Sequence, residues 1–296
     1  MLRRLTASLI PLLLAGSAAA TIRVTDDAGQ TVSMEKPAQR VISLAPHITE
    51  LLFEAGAGKQ VIAVSDYSDY PAAAKQLPSV GNVFALDTER LLAMRPDLVI
   101  VWGTGKGHAL ADQLRANNIR IFESDPKNYE QVASSLERLG ELTGNAATGQ
   151  QAAKRFRDRL QQLQSRYQLK AGEAVVTVFY QVWHQPLMTL SDQHLVSSAI
   201  RLCGGKNLLG AQQDISPKVG TEAVIAANPD AILTGGESTA QLEQFWQHYQ
   251  TMSAVKNRQF YAIKGDWLNR NGPRVLDGTE ALCQALQKVR AQKSRP

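Results

Sequence analysis

Two short stretches carry most of the side chains able to hold a ligand. Ser65-Asp66-Tyr67-Ser68-Asp69 sets one tyrosine among small polar residues, a poor setting for a core aromatic. Asp266-Trp267-Leu268-Asn269-Arg270 places an acceptor and a donor-rich guanidinium on either side of an indole. Trp102 closes the apolar run Leu98-Val99-Ile100-Val101, so it either finishes a buried strand within the core or lines a cleft at that strand's end. Aromatic walls with a few placed polar groups are what a cleft for a large organic ligand needs. The plainer alternative for Asp266 and Arg270 is a surface ion pair, which contributes little.

Catalytic chemistry finds no comparable support. The histidines His47, His108, His184, His194 and His248 are dispersed, with no pair at metal-ligand spacing. His47 precedes a helix and reads as a capping or cleft-rim residue, with a ligand contact as the other possibility. Gly103-Thr104-Gly105-Lys106-Gly107 lacks both the spacing of a phosphate loop and the hydroxyl residue after its lysine, and reads as a strand-to-helix turn. No Gly-x-Ser-x-Gly elbow is present. The expectation is a binding protein without catalytic residues, bound metal or resident cofactor.

The elements that must position these groups alternate. Residues 21–35 read as a small hairpin around Asp26-Asp27-Ala28-Gly29. Strands are expected at 41–44, 61–64, 98–102 and 119–122, with helices after the first, over 88–94 and over 109–116. From 145 to 168 the pattern changes. Ala153, Phe156, Leu160, Leu163 and Tyr167 form one apolar stripe on a long, otherwise polar helix, either laid along one molecule or pairing two. Strand and helix then resume, with strands at 174–182, 231–233 and 259–263, and helices over 195–202 and 275–290.

An internal repeat organises this pattern. Residues 88–103 and 221–236 align without gaps and share six identities, among them Thr-Glu at the start and Pro-Asp before the strand. Each copy is a short helix that ends before Pro-Asp and feeds a buried strand emerging at glycine. The fold class expected is α/β, with two similar lobes, mainly parallel central sheets and one long α-helix joining them. The expected division is a leader over 1–20, an N-terminal lobe over 21–144, the joining helix over 145–170 and a C-terminal lobe over 171–296.

The leader is read from Arg3 and Arg4, the apolar run Leu5 to Gly16 and Ala18-Ala19-Ala20, which together suit a secretory signal cleaved near Ala20. It contains two of the 32 basic residues and none of the 27 acidic ones, so the 276 residues that remain carry a net charge of +3. The basic residues are scattered, which leaves nucleic-acid binding without support. In an oxidising compartment Cys203 and Cys283, the only cysteines, are expected to pair. The bridge would tie the C-terminal lobe to its own last helix and stabilise it by about 4 kcal/mol in the chain-entropy picture.

Five segments in order then resemble a known family, the helical-backbone periplasmic binding proteins for metal chelates. They are Ser43-Leu44-Ala45-Pro46-His47-Ile48-Thr49-Glu50, Tyr67-Ser68-Asp69-Tyr70-Pro71, the Pro-Asp repeat ending in Trp102, Cys203-Gly204-Gly205-Lys206-Asn207, and Asp266 to Arg270. The resemblance spans nearly the whole chain after the leader and is greatest toward the family's cobalamin carriers. It implies a soluble, monomeric periplasmic protein with cobalamin (vitamin B12) between the lobes, or alternatively haem or a ferric siderophore. It also implies delivery to an inner-membrane ABC permease and its ATPase. The ligand contacts it implies are Tyr67, Trp102, Asp266, Trp267, Leu268, Asn269 and Arg270. The chain departs from the pattern in having Val83-Phe84, Val182 and Ser216 where the best-known cobalamin binder has aromatics; Phe84 and Trp183 are expected as substitute walls. The family's two permease-docking glutamates fall on Glu89 and Glu222, which by themselves read as first-turn helix acids.

Overall fold

The structure is a computed structural model that describes residues 21–293; the expected leader lies outside the described residues. The chain starts with an antiparallel hairpin of β1 (Ile22–Thr25) and β2 (Thr31–Met34). Asp26 Oδ1 accepts from the Ala28 and Gln30 amides in its turn. Next come β3 (Val41–Ser43), α1 (Pro46–Glu54), β4 (Val61–Val64), the small hairpin β5 (Gly81–Asn82) and β6 (Ala85–Leu86), α2 (Thr88–Ala93), β7 (Leu98–Trp102), α3 (Lys106–Ala116) and β8 (Ile121–Ser124). Four of these strands make a parallel sheet in the order β4-β3-β7-β8. The last strand begins two residues later than expected, because Asn118 turns the chain at φ 59° and delays pairing.

Two helices follow. The first, α4 (Tyr129–Leu142), was not anticipated from the sequence, although Val132, Leu136 and Leu139 mark a buried face along it. The second is the long helix, α5 (Ala146–Tyr167). The two cross so closely that a Cβ on Gly149 would lie 2.5 Å from the Leu136 carbonyl and 3.1 Å from Gly140 Cα. Arg157 of α5 donates to both Glu130 and Glu137 of α4. The apolar stripe of α5 is therefore buried within this chain, at Ala153, Phe156, Leu163 and Tyr167.

The second lobe contains β9 (Val176–Gln181), the hairpin β10 (Trp183–His184) and β11 (Leu187–Met188), α6 (Leu195–Leu202), β12 (Gly205–Asn207), α7 (Thr221–Ala227), β13 (Ala231–Thr234), α8 (Thr239–Trp246), α9 (Ser253–Lys256), β14 (Phe260–Ala262), α10 (Gly265–Leu268) and α11 (Val275–Lys293). Its parallel sheet runs β12-β9-β13-β14. In both lobes, counting sheet strands along the chain, the order is second, first, third, fourth, so the sequence repeat is one of topology.

Side chains alternate between the faces of each sheet, as strand geometry demands. Leu98 and Ile100 face a core continuous through both lobes and the α4, α5 and α11 layer, while Val99 and Val101 face a separate outer core. In the C-terminal lobe Val178 and Tyr180 face the shared core and Phe179 faces an outer cluster around Trp246. Cys203, after α6, is bonded to Cys283 of α11, as expected. No helix among the described residues is long and apolar enough to cross a membrane.

Candidate functional site

In an open parallel sheet, ligand-holding loops gather at the carboxyl ends of the strands. Five exposed aromatic side chains lie there: Tyr67 and Tyr70 after β4, Phe84 on the β5–β6 turn, Trp102 at the end of β7, and Trp183 after β9. Lys106, just beyond Trp102, sits over the Phe84 ring at 4.8 Å, which places that turn at the same edge.

The Tyr67 loop is held by buried hydroxyls. Ser43 Oγ meets Thr49 Oγ1 at 2.8 Å, Thr49 donates to Ser68 at 3.1 Å, and Ser68 meets Ser65 at 3.2 Å. Asp66 accepts from Ser79 at 2.5 Å and Asn82 at 3.0 Å, and these bonds, Ser79's foremost, hold its carboxyl below the usual range. Between these anchors Tyr67 adopts φ 63° and is 79% exposed, so its ring stands away from the core.

Trp102 stands outside the core. The four residues before it are fully buried, but Trp102 is 44% exposed. Its ring meets the edge of His47 at 5.7 Å, and its Nε1 lies 3.4 Å from Asp125 Oδ1. Burial, opposed chiefly by Lys127, raises the Asp125 pKa. Gly107 is required here, since a Cβ on it would fall 1.8 Å from the Trp102 carbonyl. The Gly103–Gly107 run thus folds α3 back onto the strand end. His47 is buried beneath the tryptophan; desolvation lowers its pKa to about 4, against a backbone hydrogen bond with Ser124, and the charge of Arg270 adds to the lowering.

In the opposite lobe, Trp183 stacks on His184 at 5.4 Å. His184 bonds to Glu237, which accepts from Gln181 at 2.5 Å, and Gln181 accepts from Trp246 at 2.8 Å. A chain running into the C-terminal core therefore supports this aromatic wall. Below it, α10 starts so close to the end of β13 that a Cβ on Gly265 would lie 1.9 Å from the Gly235 carbonyl. Asn269 accepts from Tyr180 at 2.7 Å.

The segment 266–270 needs one correction. Leu268 is fully buried, packed against Gly278 in the shared core, and does not present its side chain to the cleft. Successive residues of one helical turn point about 100° apart, so Leu268 cannot share the direction of Asp266. Trp267 is half-buried under Lys264, at 4.6 Å. Asp266 and Arg270 do pair, at 2.8 Å, with Asp266 half-exposed.

Arg270 also reaches across the lobes. Its Nη1 donates to Asp69 at 2.8 Å and Glu50 at 3.2 Å, and its Nη2 to the Tyr67 carbonyl at 3.4 Å. Burial raises the Asp69 pKa, but the bond to Arg270 and its charge outweigh that, and the carboxyl ends below its ordinary value. Arg274 grips the same Glu50, Nε to Oε2 at 2.9 Å and Nη2 to Oε1 at 2.6 Å, with its guanidinium 4.1 Å over the Tyr70 ring. The carboxyl edges of the two sheets therefore face one another, and Arg270 joins the two predicted halves of the site. Sequence reasoning assigned no role to Glu50 or Arg274.

Glu89 and Glu222 occupy the first turns of α2 and α7, exposed and without an ion-pair partner among the described residues. Each helix feeds the strand after it through a tight turn, so its first turn points back toward the carboxyl edge. The β10–β11 hairpin that begins at Trp183 bridges through Met188 to Lys218, in the segment before α7, in agreement with that direction.

The model of the family described as periplasmic binding protein matches residues 41–267. A vitamin B12-binding protein of Vibrio cholerae serotype O1 is 38% identical over 257 residues, 86% of this chain and 92% of that protein. The crystal structure of the periplasmic vitamin B12 binding protein BtuF of Vibrio cholerae superposes with a TM-score of 0.80 at 37% identity, covering 88% of this chain and 99% of that one. The periplasmic heme binding protein HutB of Vibrio cholerae shares the fold, with a TM-score of 0.67 at 24% identity over 84% of this chain and 98% of its own. Two lobes of equal topology, bridged at their carboxyl edges by Arg270 and joined by a long helix, thus coincide with a family match over most of the sequence, and the chain belongs to the periplasmic binding protein family.

Proposed function

We propose that the chain binds cobalamin between its lobes in the periplasm and delivers it to an ABC permease. The observation that carries this reading is the concentration of exposed aromatic side chains at the facing carboxyl edges, in a chain 38% identical to a vitamin B12-binding protein. A corrin is a broad disc with apolar faces and an amide-bearing rim. Tyr67, Phe84, Trp102 and Trp183 supply faces for the disc, while Asp266, Asn269 and Arg270 supply rim partners. Glu89 and Glu222, one per lobe, supply two separated anionic contacts for basic residues of the permease, which fixes orientation as well as affinity.

Calorimetric titration of the chain from Thr21 onward with cyanocobalamin tests the reading. One-to-one binding is expected, weakened by about tenfold or more in Tyr67→Ala and in Trp102→Ala, since buried aromatic contacts dominate such sites. No heat with cyanocobalamin, together with a shifted visible spectrum on adding hemin, would move the cargo to haem, with the exposed phenols of Tyr67 and Tyr70 as its iron-facing candidates.

A further inference from the structure

Glu50 belongs to none of the cargo contacts named above, yet its side chain is only 2% exposed and accepts three bonds from two arginines of the other lobe. The sequence separations are 220 and 224 residues. A carboxylate this buried is tolerable only when paired and fully bonded. Helix α1 offers it no cation of its own: it has no lysine or arginine, and its one histidine, His47, is kept neutral by burial, which lowers its pKa to about 4. The loop carrying Arg274 is seated directly on α1: a Cβ on Gly272 would lie 3.5 Å from both Glu50 Oε2 and His47 Cβ.

The partners of the two arginines differ in kind. Arg274 gives both of its side-chain hydrogen bonds to Glu50. Arg270 divides its donors between buried Glu50 and two half-exposed carboxylates, Asp69 at 48% and Asp266 at 50%. The exposed partners can exchange with polar groups of an incoming ligand, whereas the buried one cannot be reached by it.

We propose that Glu50 is the positioning residue of the cleft. It pins the C-terminal lobe through Arg274, sets the spacing between the lobes before cargo arrives, and holds Arg270 at the cleft floor while Asp69 and Asp266 yield to the ligand. The proposal takes only the identity of the ligand from the cargo reading; the spacing of the empty lobes is independent of it.

The test uses Glu50→Gln, which keeps shape and removes charge, with Arg274→Gln as a second route to the same loss should the first fail to fold. Glu54→Gln is the control: Glu54 lies on the same helix, exposed, and pairs with Arg155 at 3.0 Å. Spin labels on cysteines introduced at the exposed positions Gln113 and Gln244, one per lobe, report the interlobe distance without ligand; titration with cyanocobalamin reports affinity. Glu50→Gln and Arg274→Gln are expected to lengthen and broaden the empty-state distance and to weaken binding by about tenfold, with Glu54→Gln like the parent. Distances unchanged in both variants, or shifted equally in the control, would overturn the proposal, as would longer distances with parental affinity. If the parent takes no cyanocobalamin the cargo reading fails, and the distances still decide the role of Glu50.

Discussion

Acid should weaken this fold through a helix cap. His194 stands at the start of α6, and its Nδ1 accepts from the Val196 amide at 3.1 Å. A ring nitrogen accepts only when it carries no proton, so the cap exists only with neutral imidazole. Burial holds the His194 pKa at about 4, against 6.5 for a free histidine. Between these values the unfolded chain binds more protons than the folded one, so stability rises with pH. The contribution is complete above 6.5 and is lost as pH falls toward 4. Linkage makes the loss about 2 kcal/mol by pH 5 and about 3 kcal/mol by pH 4. His47, depressed to about 4 by its own burial, adds a similar amount. Native stability is of order 5–15 kcal/mol, so the two together threaten the fold near pH 4. The assay is urea unfolding from pH 7.5 to 5 for the parent and for His194→Asn, whose carboxamide oxygen can cap without titrating. The variant should lose about 2 kcal/mol less than the parent over that interval. Parallel losses, or an imidazole titration of His194 by NMR with its midpoint near 6.5, would refute the argument.

Replacing Cys203 and Cys283 together by alanine should cost about 4 kcal/mol in urea unfolding, because the bridge closes a loop of 80 residues. Gly149→Ala should lower the thermal midpoint despite alanine's better helix propensity. Its Cβ would stand 2.5 Å from the Leu136 carbonyl, and separating α4 from α5 should cost about 1–3 kcal/mol.

Much of the fold was legible because local pattern determines it. The alternation of strands, the stripe on α5 and the paired Thr-Glu…Pro-Asp segments each express a period or a stop signal within one short window. Helix α4 was overlooked although Val132, Leu136 and Leu139 repeat at helical spacing and Gly144, at φ 75°, separates it from α5. The exposure of Tyr67 was legible because its neighbours are polar, whereas Trp102, ending an apolar run, was left open between core and strand end. Leu268 was misassigned because a contiguous motif was read as a contiguous surface, which a helical turn does not permit. Glu50 was invisible for another reason. A lone acid among Ile48, Leu51 and Leu52 looks like a solvent-facing position, and the arginines that bury it lie at the far end of the chain.

That distance has a bearing on how the molecule comes into being. The sheet and helices of the N-terminal lobe can assemble from residues close in sequence. Its interior still holds a carboxylate whose cations lie 220 and 224 residues further along the chain. Tyr129 likewise waits for Thr279, which it meets at 2.8 Å. Contacts of such separation form late, since a long loop must close before they offer any return. A first half without Arg274 therefore lacks the partner of its buried Glu50, and closing that long loop couples the folding of the two lobes.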